Sequence, residues 1–356
     1  MKIETRVVRS GWDGRRCVVH ARNCLTPQGM IATAQYLDVA GSDLFSGILS
    51  AVSEDDGVTW SEFRPEPGLI PVDENGFLTV GCDATPLYHR ASGKTILLGH
   101  TARYAKGGMS PTGGVRHTFW SVWDPEKGAF SRMRFLDMPK GYESCGNGCG
   151  QSVETETGEL LIPVYWQTPG SACSRTAVLR ASFDGEELRL LEIGDPLSLE
   201  IPRGLGEGSL VFHRDRYLLT MRNDECALLA ESADGLHYRE MHLWRFDDGS
   251  LLQSYNTQQH WMEVHGDLYL VYTRRAEHNG HVFRHRAPLF AARVENGMLK
   301  RESEIVLTPE RGARLGNFGA APYRDGRAMV MAAEWMQPAG CEAYGSDNSV
   351  YLTFVG

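Results

Sequence analysis

Two stretches of the chain are dense in side chains that could bind a sugar. The first is Ser-Tyr-Asn-Thr-Gln-Gln-His-Trp at residues 254–261, and the second ends in the Arg-His-Arg run at 284–286. Amides, hydroxyls and aromatic faces hold sugar hydroxyls and rings, and a guanidinium matches a carboxylate bidentately. Tyr255, Gln259 and His260 are candidate site residues in the first stretch, although a polar loop surface would have the same composition.

Side chains so far apart in the chain can meet only if a regular fold brings them together. The motif that indicates this fold most clearly is Ser-Glu-Asp-Asp-Gly-Val-Thr-Trp at 53–60. Ser and Asp hydrogen-bond nearby backbone in turns, and Gly57 can take a positive φ. The apolar run 47–52 predicts the outgoing strand of a hairpin. Val58, Thr59 and Trp60 are β-branched or aromatic, so they predict the return strand.

Weaker copies of this turn indicate a repeat. Ser232–Tyr238 keeps the Ser, Asp, Gly and closing aromatic, 182–185 keeps only the turn, and 123–128 is a looser relative. The first two of these copies start 232 − 182 = 50 residues apart. This interval fits one blade of a β-propeller, about 40–50 residues, and predicts about six to eight blades in the chain.

Short apolar runs that follow turn signals support the same architecture. No stretch has a sustained helical period, and no linker or change in composition divides the chain. The sequence therefore predicts one all-β domain over residues 1–356. The clearest strand predictions are 94–99, 160–165, 217–221 and 268–272.

The pattern S-x-D-x-G-x-T-W at 53–60 resembles the Asp box of sialidases and related β-propellers. In that family the box is structural, at the outer edge of a blade and remote from the active site. The resemblance implies a six-bladed β-propeller of four-stranded antiparallel sheets. The runs 254–261 and 284–290 look most like an uncharacterised sialidase-like branch.

The resemblance also implies an anion clamp, because sialidases bind the carboxylate of their sugar through three arginines. The positions that match are Arg22, Arg222 and Arg286, with Arg284 as an alternative to Arg286 on the same strand face. Glu207 lies 222 − 207 = 15 residues before Arg222, which places the two on neighbouring strands of a hairpin.

The remaining catalytic groups implied by the resemblance are a proton donor and a tyrosine nucleophile. Asp43 falls where the family has its acid/base loop, and Tyr323 falls near the expected tyrosine, with Tyr255 and Tyr344 as competitors. Glu207 would activate that tyrosine. The implied reaction is hydrolysis of the bond to a terminal acidic sugar of a glycan, and it requires no metal or cofactor.

Two other functions remain open. A polysaccharide lyase would remove the proton next to the carboxylate of a uronic acid, using an arginine and a His or Tyr. His260 and Tyr255 are candidates for that proton transfer, as are His117, His281 and His285. A non-catalytic glycan-binding propeller would need no nucleophile.

Bulk properties limit the partners and the location. The formal net charge of −9 argues against a nucleic-acid-binding surface. No apolar stretch is long enough to cross a membrane, so no membrane partner is expected. The first residues lack the apolar segment of a secretory signal, which predicts a cytoplasmic protein or a secreted one with its signal removed.

The eight cysteines do not have the spacing of a structural zinc site. Cys145 and Cys149 form the one close pair, and a disulfide between them is the alternative to free thiols buried in strands.

Overall fold

The structure, a computed structural model, describes residues 1–39, 43–74, 76–106, 115–168 and 170–356. Within these residues the strands form six hydrogen-bonded sheets, here labelled I to VI in chain order. The first strand, β1 (Ile3–Arg9), belongs to the last sheet, VI. Sheet I contains β2 (Arg16–Thr26), β3 (Gly29–Asp38), β4 (Phe45–Ser53) and β5 (Arg64–Pro65).

The next two sheets carry additional short strands. Sheet II contains β6 (Val72–Glu74), β7 (Phe77–His89), β8 (Lys94–Ala105), β9 (Thr118–Asp124), β10 (Ala129–Phe130) and β11 (Arg134–Phe135). Sheet III contains β12 (Cys145–Gly146), β13 (Val153–Glu154), β14 (Glu159–Gln167), β15 (Cys173–Phe183), β16 (Leu188–Ile193), β17 (Leu197–Ser198) and β18 (Arg203–Gly204).

The last three sheets follow in the same order along the chain. Sheet IV contains β19 (Gly206–His213), β20 (Arg216–Arg222), β21 (Ala227–Ser232) and β22 (Met241–Leu243). Sheet V contains β23 (His260–Val264), β24 (Asp267–Tyr272), β25 (Leu289–Glu295), β26 (Met298–Leu299) and β27 (Ile305–Thr308). Sheet VI contains β28 (Arg314–Leu315), β29 (Gly319–Pro322), β30 (Ala328–Trp335) and β31 (Val350–Val355), together with β1.

The described helices are single 3₁₀ turns of three or four residues. They span Pro67–Leu69, Phe283–His285, Arg301–Ser303, Arg324–Gly326 and Cys341–Tyr344. No helix in the described part of the chain is long and apolar enough to cross a membrane.

The sheets are arranged as a β-propeller, in which five blades are recognisable. The all-β propeller prediction is therefore confirmed, while the predicted number of six blades is not. Only sheets I and IV have the predicted four strands, and the others have five to seven. In sheet VI the strand nearest the amino end pairs with the strand nearest the carboxyl end, with Ile3 opposite Val355.

The hydrophobic core is divided among the sheets. One cluster joins sheet I to sheet VI, where Met30 and Ala32 pack with Met331 and Leu352. Comparable clusters join sheets I and II, II and III, III and IV, IV and V, and V and VI. Each fully buried side chain of this size contributes about 1.5–3 kcal/mol, so this packing positions one sheet on the next.

The four runs predicted most clearly as strands lie in β8, β14, β20 and β24, and the outgoing run 47–52 lies in β4. The predicted return strand at Val58–Trp60 is wrong, because those residues belong to the turn and the chain rejoins the sheet only at β5. The reason is local. Asp55 accepts hydrogen bonds from the backbone and hydroxyl of Thr59, at 2.8 and 2.6 Å, which keeps Thr59 in the turn.

All eight cysteines are free thiols in the structure, and Cys145 and Cys149 are both buried. Burial raises the pKa of the Cys145 thiol well above its ordinary value. Cys145 and Cys149 therefore behave as small apolar side chains of the core.

Candidate active site

A cavity of about 780 Å³ is lined by residues from sheets I, II, III, IV and VI, and by Arg284 and Arg286 from the loop between β24 and β25 of sheet V. Strand ends and the loops beside them carry most of its polar side chains, so residues far apart in the chain meet there. Its wall includes Asp43, Asp83, His100, Arg116, Tyr165, Glu207, Arg222, Asn256, Arg284, Arg286, Asn317 and Trp335.

Glu207 and Arg222 meet at this cavity as the sequence predicts. They lie on the paired strands β19 and β20, and a bulge between Gly206 and Ser209 leaves Glu207 with a left-handed φ of 48°. Arg222 Nη1 donates to Glu207 Oε2 at 2.6 Å, and its Nη2 donates to Asp224 at 3.1 Å. Burial acts to lower the pKa of Arg222, but the two carboxylates outweigh it and raise that pKa.

Arg284 and Arg286 reach the same wall from the loop before β25, so both alternatives for the third arginine line the cavity. Arg284 Nη1 donates to Asn256 Oδ1 at 3.1 Å. Arg286 Nε donates to the Asn256 carbonyl at 2.9 Å, and its Nη1 donates to Asn317 at 3.3 Å. Burial, then the charge of Arg222, lower the pKa of Arg286 to about 10.

Arg22, the predicted first arginine, lies behind the wall. Its side chain is fully buried, and it is not among the described residues that line the cavity. Its Nη2 lies 3.2 Å from Asp83 Oδ1, and its Nη1 donates to the carbonyl of His20. Arg22 therefore positions Asp83, which does line the cavity, instead of meeting a ligand directly.

Asp83 belongs to a chain of polar groups that sequence reasoning missed. His100 Nε2 lies 3.8 Å from Asp83 Oδ2, and His100 Nδ1 lies 3.3 Å from the hydroxyl of Tyr165. The Arg116 guanidinium lies 5.1 Å from the centre of the Tyr165 ring. A hydroxyl within hydrogen-bond distance of an imidazole, with a carboxylate nearby, is similar to the arrangement of an activated nucleophile or a proton shuttle.

The protonation states fit that arrangement. Burial raises the pKa of Tyr165, so the phenol is neutral at pH 7. Burial and Arg116 lower the pKa of His100 to about 3, so the imidazole is neutral at pH 7 and is a weaker base than an exposed histidine. Burial alone would raise the pKa of Asp83, but its interactions with His20 and then Arg22 hold that pKa well below its usual range.

Asp43, the predicted proton donor, lies at the cavity just before β4. It has a left-handed φ of 57°, and its carbonyl accepts a hydrogen bond from the hydroxyl of Tyr104. The structure therefore brings Asp43 to the same cavity as Glu207 and Arg222, and its role as an acid stays a prediction.

Tyr323, the predicted nucleophile, is not brought to the cavity. It lies next to the start of β30, where its ring packs 4.8 Å from the ring of Phe354. Trp335, at the other end of β30, lines the cavity. The 335 − 328 = 7 residues between the ends of this strand span about 23 Å, so Tyr323 cannot reach a ligand that Trp335 contacts.

The three candidates from the 254–261 stretch also lie outside the wall, as far as the described lining residues show. Tyr255 packs under Arg275, and Gln259 is fully buried and donates to Ser254 Oγ at 2.9 Å. His260 is buried and bonds to Ser209 Oγ at 2.8 Å. Gln259 therefore stabilises the loop before β23, and His260 links β23 to β19.

One cluster of metal-ligating types occurs among the described residues. Cys82, Asp83 and His100 place ligand atoms within 4.8 Å of one another, all buried. Asp83 Oδ1 already pairs with the Arg22 guanidinium, so a metal ion there would meet a positive charge. We assign no metal to this cluster.

The residues that the sequence did not single out share one property. His100 and Tyr165 lie in strands predicted from apolar runs, and Asp83 lies at a bulge between Cys82 and Thr85 in β7. A single polar residue within a strand carries no sequence pattern of its own. Pairing of the strands decides whether it faces the cavity.

Comparisons with known proteins support the fold. Protein-family models gave no match to the sequence, and curated proteins gave none. Among solved structures, Trypanosoma rangeli sialidase matches with a TM-score of 0.67 and 14% identity, covering 99% of this chain and 59% of that one. The chain therefore spans less than two thirds of the length of that protein.

Two further solved structures agree. The K499G mutant of NanB sialidase from Streptococcus pneumoniae matches with a TM-score of 0.66 and 11% identity, covering 98% of this chain and 70% of that one. A leech intramolecular trans-sialidase complexed with 2,7-anhydro-Neu5Ac matches with a TM-score of 0.60 and 13% identity, covering 98% and 68%. The protein has the fold of the sialidases, a sialidase-like β-propeller.

Proposed function

We propose that the protein is a carbohydrate-active enzyme that hydrolyses the bond to a terminal acidic sugar of a glycan. The observation that carries the proposal is the cavity, whose lining includes both a cluster of arginines and the Tyr165, His100 and Asp83 group. The sialidase-like fold supports it, since the solved neighbours include a sialidase in complex with sialic acid.

The arginines at positions 222, 284 and 286 would hold the carboxylate of the sugar. All three line the cavity, and all three donate to Asn256, so their guanidinium groups converge. Arg22 would act through Asp83. This clamp keeps two of the three predicted arginines and replaces the first by Arg284.

The proposed reaction uses Tyr165 in place of Tyr323. The phenolic oxygen attacks the anomeric carbon while the phenolic proton passes to His100 Nδ1, and the glycosidic oxygen leaves with a proton. Asp43 is the proposed donor of that proton, because the low pKa of Asp83 keeps Asp83 ionised. Water then attacks the anomeric carbon and gives a proton to Asp43, while the proton on His100 returns to the oxygen of Tyr165 as the sugar is released. Glu207 supports the site by holding Arg222.

Lyase chemistry is the second candidate, and the Tyr165–His100 pair specifically favours it. A neutral imidazole 3.3 Å from a phenol could remove the proton next to a uronic-acid carboxylate and return one to the leaving oxygen. The arginine wall would stabilise the negative charge that develops.

One assay separates these reactions. The protein is incubated with a sialylated glycan and with a uronic-acid glycan, and products are followed by chromatography and ultraviolet absorbance. We expect a free acidic sugar without new absorbance. An unsaturated, absorbing product would identify a lyase, and binding of a glycan without turnover would identify a binding module.

Replacing Arg286 with Ala tests the clamp. We expect kcat/KM to fall roughly 10- to 100-fold through a higher KM, since charge-assisted hydrogen bonds to the carboxylate are lost. Arg293→Ala is the matched control, because Arg293 lies on β25 and pairs with Asp267 and Glu295. Equal kinetics for R286A and R293A would contradict the clamp.

We also infer that all six sheets are blades of one ring. Sheet VI packs on both sheet V and sheet I, and β1 pairs with β31 inside it. These contacts support a closed circle of six.

A further inference from the structure

Asn256 occupies the centre of the arginine wall. It lies in the loop between β22 and β23, and it lines the cavity. Its backbone N–H donates to the carbonyl of Asp224 at 2.8 Å, and its φ of 49° is left-handed, which Asn tolerates better than most residues. Its position is therefore fixed by the backbone as well as by its side chain.

Three guanidinium groups converge on this one residue. Arg222 Nη2 and Arg284 Nη1 donate to Asn256 Oδ1 at 3.0 and 3.1 Å. Arg286 donates to the backbone carbonyl of Asn256 through both Nε and Nη2. The amide thus orients all three side chains, yet it carries no charge.

The wall keeps an excess of positive charge as a result. Arg222 is neutralised by Glu207 and Asp224, whereas Arg284 and Arg286 form no ion pair with a described residue. Arg314 adds a third such cation, because its Nε and Nη1 are buried with no hydrogen-bond partner.

Arg314 belongs to the same electrostatic environment. Its guanidinium lies 3.3 Å from the ring centre of Trp335, which lines the cavity. Burial, then the charges of Arg286 and Arg284, lower the pKa of Arg314 to about 8. Uncompensated cations of this kind are stabilised by an anion that binds among them.

We propose that Asn256 is a positioning and specificity-determining residue, which aligns the arginines of the clamp without adding a negative charge and so reserves the charges of Arg284 and Arg286 for a carboxylate. This inference rests on the proposed function. An aspartate has nearly the same shape and accepts the same hydrogen bonds, but it would place a permanent carboxylate where the wall now carries none.

The test is Asn256→Asp, followed by thermal unfolding at pH 7 across an acetate titration at constant ionic strength. We expect acetate to stabilise the wild type, and N256D to need at least about tenfold more acetate for the same shift. Without acetate, N256D should melt at or above the wild-type temperature. Asn296→Asp is the control, since it adds the same charge at an exposed turn and should behave as the wild type.

Each contrary result overturns the inference. Acetate that stabilises both proteins equally, or neither, would show that the residue does not reserve the charge. An N256D protein that melts below the wild type would show that no uncompensated cations face position 256. A structural role alone would lower the melting temperature and could not raise it.

A sugar arm separates this inference from the proposed function. N-acetylneuraminic acid and galacturonic acid are titrated into the wild type and N256D by calorimetry. Loss of sugar binding in N256D supports the inference. If neither sugar binds the wild type while the acetate results hold, the proposed function fails and the role of Asn256 stands.

Discussion

Tyr165 is held at the cavity by contacts that suit a reactive phenol. His100 is its hydrogen-bond partner at 3.3 Å, the Arg116 cation lies over its ring, and Gly206 faces it across the sheet boundary. A Cβ at Gly206 would lie 3.5 Å from the Tyr165 ring, which is ordinary contact. The phenol is therefore packed in place, and its hydroxyl has a base within reach.

We predict that Tyr165→Phe lowers kcat by about 10²- to 10⁴-fold, the usual contribution of a group that attacks or transfers a proton. The melting temperature should change little, because only one hydroxyl is removed. Tyr323→Phe is the matched control and should keep full activity, since Tyr323 packs on Phe354. A kcat that falls with Y323F and not with Y165F would show that Tyr323 is the nucleophile and that Tyr165 is not.

At the scale of the element, the turn at residues 53–60 closes the end of β4 through its own hydrogen bonds. Ser53 Oγ accepts from the N–H of Gly57 at 2.8 Å, and Asp55 binds Thr59. The shorter copy at 232–238 has a similar set of hydrogen bonds, in which Asp234 accepts from two backbone N–H groups. β4 carries Phe45 at the cavity and Ser53 at the turn, 53 − 45 = 8 residues or about 26 Å apart. The turn is therefore remote from the cavity.

We predict that Gly57→Ala lowers the free energy of unfolding by about 1–3 kcal/mol and leaves kcat unchanged. Gly57 has a φ of +75°, and an added Cβ would lie 2.8 Å from Leu352 of sheet VI. Gly128→Ala is the control that measures the cost of backbone strain alone. Gly128 has a φ of +59°, and an added Cβ would meet nothing within 4 Å. Urea unfolding gives both values, and equal losses would exclude the contact with sheet VI.

At the scale of the molecule, the propeller buries three neutral histidines. Burial is the main cause that lowers the pKa of His20, His100 and His260 to about 3. An unfolded histidine titrates near pH 6.5, so below that pH the unfolded chain binds more protons than the folded one. Stability is therefore fully present above about pH 6.5 and is lost as the pH falls toward 3.

We predict that the free energy of unfolding falls by up to about 4 kcal/mol per pH unit between pH 6 and 4, or about 1.4 kcal/mol for each histidine. His260→Gln should remove one titrating group and so reduce this slope by about 1.4 kcal/mol per pH unit. His278 is exposed, so His278→Gln should leave the slope unchanged. Urea titrations at a series of pH values measure the slope. A slope that H260Q leaves unchanged would mean that His260 is protonated in the fold.

Local patterns were sufficient for the elements and for part of the site. The apolar runs predicted strands correctly, and the turn signal at 53–57 marked the end of β4, because turn chemistry and alternation act over a few residues. The spacing of Glu207 and Arg222 placed them on paired strands, which β19 and β20 confirm. The predicted return strand at Val58–Trp60 was wrong, because the hydrogen bonds of Asp55 to Thr59 outweighed the strand preference of Val58 and Trp60.

The sequence by itself determined the all-β propeller and the pairing of the two strands that carry Glu207 and Arg222, since both follow from patterns over a short stretch of chain. Only the tertiary structure decided that Tyr165 and His100 meet at the cavity, that Tyr323 lies about 23 Å away along β30, and that Arg22 lies behind Asp83. The physical reason is that the cavity gathers single residues from five sheets and from the loops between strands. Strand register and bulges determine which face of the sheet each side chain occupies. A slip of one residue in the register would move every side chain of the strand to the opposite face.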